Sequence, residues 1–88
     1  MWYVYLLRSK KDGEKYIGST DGYERRLKQH NKGLVKSTKS RRPFLLVGYQ
    51  QFESVNEAAF FEKKYKRSHG AIDRAIKRGD FKIINYGG

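Results

Sequence analysis

The amino-acid sequence predicts a small α+β domain, in which helices flank a three-stranded antiparallel sheet in the order β-β-α-β-α-α. Two runs of β-branched and aromatic residues flank an Asp-Gly turn near the beginning of the chain, and three later segments have helical periodicity. The length of 88 residues fits one small hydrophobic core. We therefore expect residues 1–88 to form a single domain.

The first two strands are expected to form a hairpin. Residues 2–7 and 15–19 have the composition of strands, and the turn between them contains Asp-Gly, a dipeptide that tolerates positive φ. The hairpin places Tyr5 and Tyr16 on neighbouring strands, and the register decides whether their side chains share a face. Gly18 is expected to allow a tight exit from the second strand into a helix.

A helix is predicted directly after the hairpin. Asp21 and Glu24 have the spacing of a capping box, and Gly33 suits the C-terminal end of a helix that runs to about Asn31. One stripe of this helix mixes polar with apolar side chains: Tyr23, Arg26, Leu27 and His30. An Arg and a His on the apolar side of a helix break the usual pattern, and such breaks are typical of functional or strained sites.

The middle of the chain contributes a loop, a strand and a second helix. Residues 34–42 form a basic loop, and residues 44–52 are apolar enough for the central strand of the sheet. Ser54 and Glu57 form a second capping box, which begins a helix with Ala58, Phe61 and Tyr65 facing inward. Glu62 borders this apolar face, because it lies between Ala58 and Tyr65 at helical spacing.

The last part of the chain predicts a short third helix. Its apolar positions are Ala71, Ile72, Ala75 and Ile76, and Gly79-Asp80 ends it. Residues 81–85 are either an edge strand or a tail.

The chain is strongly basic. Lys and Arg together number 20 against nine Asp and Glu, which gives a net charge of +11. Residues 23–42 contain eight basic residues and one acid, and residues 63–78 contain seven and one. Two basic blocks on an ordered domain indicate a polyanionic partner, and a surface tuned only for solubility is the alternative.

Composition also bears on location. No apolar run is long enough to cross a membrane, and neither basic block has a broad apolar face opposite its charges, so we expect no membrane partner. Cys is absent, so no disulfide and no thiolate chemistry is available, and this fits a reducing cytoplasm. We therefore expect a cytoplasmic protein, whose oligomeric state stays open.

Four features, in this order, resemble the GIY-YIG nuclease domain: Tyr3-Val4-Tyr5, Tyr16-Ile17-Gly18, the helix of residues 24–30 and the later Glu62. The resemblance covers roughly the whole chain. Residues 41–44 and 62–66 resemble the compact single-domain branch, whose members are often described as similar to the endonuclease subunit of nucleotide excision repair. Tyr3 and Val4 stand where the family name has Gly and Ile, while Tyr5 keeps the phenol.

The resemblance implies a metal-dependent endonuclease that hydrolyses phosphodiester bonds in DNA. Its catalytic candidates here are Tyr5, Tyr16, Arg26, His30 and Glu62. Glu62 would be the metal ligand, and a single carboxylate suits Mg²⁺ (or Mn²⁺). Arg26 would stabilise the transition state, and one tyrosine, of which we favour Tyr16, would orient or deprotonate the attacking water.

The remaining candidates are less specific. His30 could hydrogen-bond a tyrosine hydroxyl, act as a base or contact phosphate, and Asn85 could help to hold the site. Phosphate contacts, which contribute affinity rather than base specificity, are expected from Lys36, Lys39, Arg41, Arg42, Lys63, Lys64, Lys66 and Arg67. The expected partner is DNA, with single-stranded or branched forms and RNA left open.

Each candidate residue also has a structural interpretation. Glu62 has Lys66 four residues later for an ion pair, Arg26 could be a surface side chain, and the tyrosines could be core residues. Two other functions therefore stay open. One is a non-catalytic nucleic-acid-binding module on the same scaffold, and the other is a small basic protein that binds ribosomal RNA or joins a larger complex.

Overall fold

The structure is a computed structural model that describes residues 1–68 and 70–85. Within these residues it has three α-helices, one short 3-10 helix and an antiparallel sheet of four strands in the order β2-β1-β3-β4. The strands are β1 (Trp2–Ser9), β2 (Lys15–Thr20), β3 (Phe44–Phe52) and β4 (Lys82–Ile83). The helices are α1 (Tyr23–Asn31), α2 (Val55–Arg67) and α3 (Ala71–Arg78), and the 3-10 helix is Lys39–Arg41.

The α+β class and the order of the first six main elements are as predicted, but the sheet has four strands rather than three. The fourth is a two-residue edge strand, β4, which pairs with Gly48 and Tyr49 of β3. So short a segment carries no alternating pattern in the sequence, and its pairing depends on the neighbouring strand β3. As expected, β3 lies inside the sheet, between β1 and β4.

The sheet separates two layers of helices and two apolar clusters. Helices α2 and α3 cover one face, with a core that includes Val4, Leu6, Ala58, Tyr65 and Ile72. On the other face, Tyr23 and Leu27 of α1 pack against a second cluster formed by Tyr5, Leu7, Phe44 and Leu46. Alternate residues of β1 thus point into opposite layers, as the two-residue period of a strand requires. None of the helices in the described part of the chain is long and apolar enough to cross a bilayer.

The register of the hairpin decides where the two tyrosines lie. Tyr5 is opposite Gly18, and Leu7 is opposite Tyr16. Directly opposed residues of an antiparallel pair point to the same face, so Tyr5 and Tyr16 both lie on the α1 side of the sheet. Their ring centroids are 6.2 Å apart.

The start of α1 differs from the prediction. Asp21 does not cap the helix: Gly22, in an extended conformation, occupies the N-cap position without a side-chain hydrogen bond. The Asp21 carboxylate instead pairs with the guanidinium of Arg25, four residues later. At α2 the Ser54 half of the predicted capping box is present, because the Ser54 hydroxyl accepts a 3.2 Å hydrogen bond from the backbone N–H of Glu57. The Glu57 carboxylate contacts the Ser54 hydroxyl at 3.3 Å rather than its backbone N–H.

Tyr3, the residue that stands in place of the family's Gly, belongs to an aromatic cluster on the α1 side. Its ring packs edge-on against Tyr23 and Tyr49, with centroids 5.0 and 5.6 Å away. The rings of Tyr23 and Tyr49 stack on each other at 4.2 Å. Tyr3 therefore joins α1 to β1 and β3, and the cluster fixes the helix that carries Arg26 and His30.

Candidate active site

The candidate site is built around Gly18 on β2, the edge strand of the sheet. The Tyr5 side chain crosses over this glycine, and a Cβ at Gly18 would come within 2.5 Å of the Tyr5 hydroxyl oxygen. Gly18 lies inside β2, which continues to Thr20, so its role differs from the tight exit expected from the sequence. The absence of a side chain at Gly18 lets the phenol of Tyr5 reach the edge of the sheet.

Behind this edge lies a chain of three buried polar side chains. The Tyr5 hydroxyl is 3.0 Å from His30 Nε2, and His30 Nδ1 is 2.7 Å from the hydroxyl oxygen of Thr38. Tyr5 is 1% exposed, and His30 and Thr38 are fully buried. Burial, reinforced by the nearby charge of Arg26, lowers the pKa of His30 from 6.5 to about 4. The imidazole of His30 is therefore neutral at pH 7.

Three charged or ionisable candidates act on the Tyr5 phenol. Burial raises the pKa of Tyr5 to about 12, and the Arg26 guanidinium opposes this rise, while Tyr16 and Glu62 add to it. Arg26, Tyr16 and Glu62 thus all lie within electrostatic range of one hydroxyl group. The side chain of Arg26 is itself oriented by Gln29, which accepts a 2.9 Å hydrogen bond from it.

Glu62 reaches the site from the opposite layer of the molecule. It lies on α2, and its carboxylate accepts a 2.6 Å hydrogen bond from the Ser19 hydroxyl and a 2.7 Å hydrogen bond from Lys66 Nζ. The side chain is 23% exposed, so the carboxylate is held but accessible. The ion pair with Lys66 that the sequence offered as an alternative is present, and Ser19 is a second partner.

The two layers meet because β2 is an edge strand. Tyr16 and Gly18 face α1, whereas the intervening Ile17 and the following Ser19 face α2. Groups on either side of an edge strand can approach each other around it. Lys66 shows this approach, since its Nζ binds Glu62 and lies 5.8 Å from the centroid of the Tyr16 ring.

Tyr16 occupies the centre of this arrangement. It is half-buried, and its ring packs against His30 and Phe44 at centroid distances of 4.9 and 6.5 Å. Arg41 flanks the same region: its guanidinium lies 5.5 Å from the Phe44 ring centroid and donates a hydrogen bond to the carbonyl of Lys15. Lys66 thus lies close to the Tyr16 ring, and Arg41 contacts its neighbours Lys15 and Phe44.

The basic loop before β3 contains one cation held in an ion pair and several exposed cations. Arg41 is 26% exposed and pairs with Asp12, whose pKa falls to about 2 because of that hydrogen bond. Arg41 thus ties the loop to the hairpin turn. The other loop candidates, Lys36, Lys39 and Arg42, are exposed.

The cations of α2 form a separate exposed surface. Lys63, Lys64 and Arg67 line a groove of about 280 Å³ together with Phe60 and Ser68. Lys66, on a different side of the helix, points to Glu62 and Tyr16. Helix α2 therefore carries the acidic candidate and a basic surface together.

Asn85 is placed away from these groups. Its amide donates a 3.1 Å hydrogen bond to the carbonyl of Leu46, and its backbone N–H donates to Val47. Asn85 follows β4, at the edge of the sheet opposite β2. It thus anchors the end of the described chain to β3.

Three partners of the candidate residues have no clear signal in the sequence: Ser19, Gln29 and Thr38. The alternation of β2 could have placed Ser19 on the α2 side once Glu62 was a candidate. Gln29 does not belong to the predicted stripe of α1, and its contact with Arg26 depends on the reach of its side chain. Thr38 lies in a segment without periodicity, so only tertiary structure reveals its contact with His30.

The donor set at Glu62 fits a hard divalent cation. In the described residues, no group of three or more His, Cys, Asp and Glu side chains could hold a metal. A carboxylate has about four lone-pair positions, and the two hydrogen bonds to Glu62 leave the others available. Mg²⁺ commonly binds through one or two carboxylates, keeps several waters and is completed by phosphate oxygens, which matches one half-buried glutamate.

Comparison with known proteins supplies the family. The chain matches the model of the GIY-YIG catalytic domain over residues 1–77. A UPF0213 protein from Nitratidesulfovibrio vulgaris is 44% identical over 68 residues, a match that covers 76% of this chain and 61% of that protein, which is less than two thirds of its length. A UPF0213 protein from Clostridium perfringens is 40% identical over 72 residues, covering 77% of this chain and 76% of that protein.

A solved structure agrees with the sequence matches. The solution NMR structure of a UPF0213 protein from Bacillus halodurans has 36% sequence identity and a TM-score of 0.55, over 91% of this chain and 87% of that one. The name UPF0213 states no activity. The chain therefore belongs to the GIY-YIG catalytic domain family and groups within it with the UPF0213 proteins.

Proposed function

We propose that this protein is a metal-dependent endonuclease that hydrolyses phosphodiester bonds in DNA. The observation that carries the proposal is the meeting of Tyr5, Tyr16 and Arg26 from the α1 side with Glu62 from the α2 side, around the edge strand β2. Membership of a family described as a catalytic domain supports it. The net charge of +11 favours a polyanionic substrate.

Hydrolysis of a phosphodiester makes three demands on a site. A water must lose a proton as it attacks, the charge that develops on the phosphoryl oxygens must be stabilised, and the leaving oxygen must be assisted. Positioning and electrostatic stabilisation supply most of the rate acceleration in such reactions. The candidate residues divide these tasks.

Arg26 is the candidate that can bind the phosphoryl group. The side chain of Arg26 is half-buried, and its guanidinium carries five N–H donors. One of these donates the hydrogen bond to Gln29. The remaining donors can bind two phosphate oxygens in a bidentate manner, which a lysine cannot reproduce. Arg26 is therefore the proposed stabiliser of the transition-state charge.

Tyr16 is a better candidate than Tyr5 for the residue that acts on the attacking water. Burial raises the pKa of Tyr5 to about 12, so Tyr5 stays protonated and serves as a fixed hydroxyl rather than as a base. Tyr16 is half-buried, and the ammonium of Lys66 lies 5.8 Å from its ring. Tyr16 is the less buried of the two phenols, so it is the proposed residue that orients or deprotonates the attacking water.

Glu62 would hold the metal, Mg²⁺ or Mn²⁺. When bound, such an ion neutralises charge on the scissile phosphate and on the leaving oxygen. Ser19 keeps the carboxylate in place through its 2.6 Å hydrogen bond. Lys66, now paired with Glu62, would turn to the phosphate backbone as a point charge.

The basic residues define a path for the nucleic acid. Lys66 lies near Tyr16, and Arg41 contacts the backbone of Lys15 beside it. The exposed groups extend the positive surface: Lys36, Lys39, Arg42, Lys63, Lys64 and Arg67. Contacts of this kind bind phosphates whatever the base sequence. The proposed enzyme is accordingly tolerant of sequence, and single-stranded, branched and duplex DNA, with RNA, are the substrates to compare.

The test is a cleavage assay on a panel of end-labelled single-stranded, duplex and branched DNA and RNA. Purified protein is incubated with Mg²⁺, Mn²⁺ or EDTA, beside the variants Glu62→Gln and Glu53→Gln, the second being a matched loss of an exposed carboxylate. The proposal expects metal-dependent cleavage that only Glu62→Gln abolishes. Salt-dependent binding with no cleavage of any substrate would instead establish the non-catalytic binding module.

A further inference from the structure

Thr38 has features that the proposed reaction does not explain. It lies in the basic segment between α1 and β3, where its neighbours Lys36, Lys39 and Ser40 are exposed, yet Thr38 itself is fully buried. Its hydroxyl oxygen is 2.7 Å from His30 Nδ1. A buried polar side chain in such a segment is expected to have a specific partner, and here that partner contacts Tyr5.

The hydrogen-bond direction at Thr38 follows from its second contact. The Thr38 hydroxyl oxygen is 3.4 Å from the carbonyl oxygen of Val35, a long contact in which only the hydroxyl can donate. A hydroxyl group has one hydrogen to donate, so its lone pairs are left to face His30. With the hydroxyl hydrogen on the Val35 side, His30 Nδ1 would carry the proton and donate a hydrogen bond to Thr38, which would leave Nε2 of the neutral ring as an acceptor.

The other end of the chain is compatible with the same direction. Nε2 of His30 is 3.0 Å from the Tyr5 hydroxyl. Arg26, which has only donors, lies close enough to that hydroxyl to lower its pKa by hydrogen bonding and by charge. Because a guanidinium can only donate, this proximity is compatible with a Tyr5 oxygen whose lone pairs face Arg26 and whose hydrogen points to His30.

We propose that Thr38 is a positioning residue that holds His30 in the tautomer protonated at Nδ1 and thereby directs the hydroxyl hydrogen of Tyr5 away from the reaction site. The consequence for chemistry rests on the proposed nuclease function. With its hydrogen held by His30, Tyr5 offers only acceptor lone pairs at the edge of β2, where they orient Arg26 and a water near the phosphate. The opposite tautomer would donate to Tyr5 and turn its hydrogen toward the Arg26 donors.

A merely structural role for Thr38 makes a different prediction. If Thr38 only fills space or holds the loop, valine, which has nearly the same shape, should leave the His30 tautomer unchanged. The two roles can therefore be separated by a property of the imidazole itself. The ¹⁵N chemical shifts of the two ring nitrogens of a histidine report which one carries the proton.

The experiment records these ¹⁵N shifts in the full chain at pH 7.5 for the parent, Thr38→Val and Thr38→Ser. The His30 signals are assigned by their loss in His30→Gln. The parent and Thr38→Ser are expected to show protonation at Nδ1, and Thr38→Val a mixture of tautomers or protonation at Nε2. Protonation at Nε2 in the parent overturns the proposal even if Thr38→Val does not fold, and so does an unchanged tautomer in folded Thr38→Val.

Cleavage kinetics then separate this inference from the proposed function. Thr38→Val is expected to lower kcat on the order of 10–100-fold with little change in KM, and Thr38→Ser to restore it, as for other residues that orient a catalytic group. If the tautomers behave as expected but no protein cleaves, the nuclease proposal fails while the role of Thr38 in the hydrogen-bond chain stands. An equal kcat in the parent, Thr38→Val and Thr38→Ser overturns the claim that the His30 tautomer affects cleavage.

Discussion

Ser19 of β2 donates a 2.6 Å hydrogen bond to the carboxylate of Glu62 on α2, across 43 positions of sequence. This contact joins the helix on one face of the sheet to the strand whose other face carries Tyr16. It explains how an acid from one layer can approach the candidate site, whose phenols and guanidinium come from the other layer. The edge position of β2 is what makes the contact useful, since an inner strand would separate the two layers completely.

Removing the Ser19 hydroxyl should weaken the proposed metal site without removing its ligand. Ser19→Ala leaves Glu62 held only by Lys66, a cation that competes with the metal. We expect the metal concentration for half-maximal cleavage to rise on the order of 10-fold, as for other partners of a metal ligand. Metal titrations of cleavage check this, with Ser37→Ala, at an exposed serine, as the control. Equal metal requirements in the two variants would contradict the role given to Ser19.

Arg26 should be irreplaceable by lysine. Arg26→Lys keeps the charge but loses the planar, bidentate donor set, so we expect kcat to fall on the order of 100-fold with a smaller change in KM. Arg25→Lys is the matched control, because Arg25 lies on the same helix but is exposed and pairs with Asp21. Single-turnover cleavage rates measure the effect. A similar loss in both variants would mean that Arg26 acts through general charge alone.

The Gly18 position should not accept even a methyl group. In Gly18→Ala the new Cβ would overlap the Tyr5 hydroxyl and ring, so the ring must move out of a packed cluster. We expect a loss of about 1–3 kcal/mol in the free energy of unfolding, together with reduced cleavage. Chemical denaturation measures the first quantity. Gly22→Ala is the control, since the atoms nearest to a Cβ at Gly22 belong to the flexible end of the Arg25 side chain. An equally large loss of stability in Gly22→Ala would contradict the claim that overlap with Tyr5 causes the effect at Gly18.

The buried His30 predicts a specific dependence of stability on pH. Its pKa is about 4 in the folded protein, against an ordinary value of 6.5, so between these values the unfolded chain binds a proton that the folded state does not. The contribution is complete above pH 6.5 and is lost as the pH falls towards 4, by at most about 3 kcal/mol.

Comparison of the parent with His30→Gln isolates this effect, because the carboxyl groups titrate in both proteins. Denaturation series between pH 4 and 7.5 should show a steeper loss of stability in the parent on acidification. Parallel curves would show that the His30 imidazole takes up its proton equally in the folded and unfolded states.

Lys63 and Lys64 of α2 should contribute to the salt-dependent part of DNA binding. Replacing Lys63 and Lys64 with Gln removes two proposed phosphate contacts, so the slope of log affinity against log salt should become shallower by about 1–2. Arg74→Gln with Lys77→Gln is a control of equal charge on α3, where both residues are exposed. Salt titrations of DNA binding measure the slopes. If both double variants lose the same amount, binding follows net charge rather than this surface.

Local patterns explain why much of the fold could be predicted. The hairpin, the Ser54 cap of α2 and the stripe of α1 all depend on residues close together in sequence, and the structure contains each of them. The Asp21 cap failed because spacing cannot tell a cap from an ion pair, and Arg25 offered Asp21 a competing partner. The count of three strands was wrong because residues 81–85 could be either an edge strand or a tail, and the pairing that decides this is entirely non-local.

The resemblance names candidate residues for the site but not the geometry that brings them together. The resemblance named Tyr5, Tyr16, Arg26, His30 and Glu62, yet the side of the sheet from which each approaches depends on register and on which strand is at the edge. Thr38 and Ser19 were missed because their roles exist only through contacts with distant residues. Gly18 was noticed for its backbone freedom, whereas the structure shows that its missing side chain is what matters.

The central claim is that groups from both faces of the sheet form one metal-dependent site at the edge of β2, and paramagnetic broadening by Mn²⁺ in NMR spectra of the whole protein tests it most directly. The account predicts that substoichiometric Mn²⁺ broadens the signals of Glu62, Ser19 and Tyr16 together, and that Glu62→Gln removes the effect while Glu53→Gln preserves it. Broadening centred on another part of the molecule, or unchanged by Glu62→Gln, would contradict it.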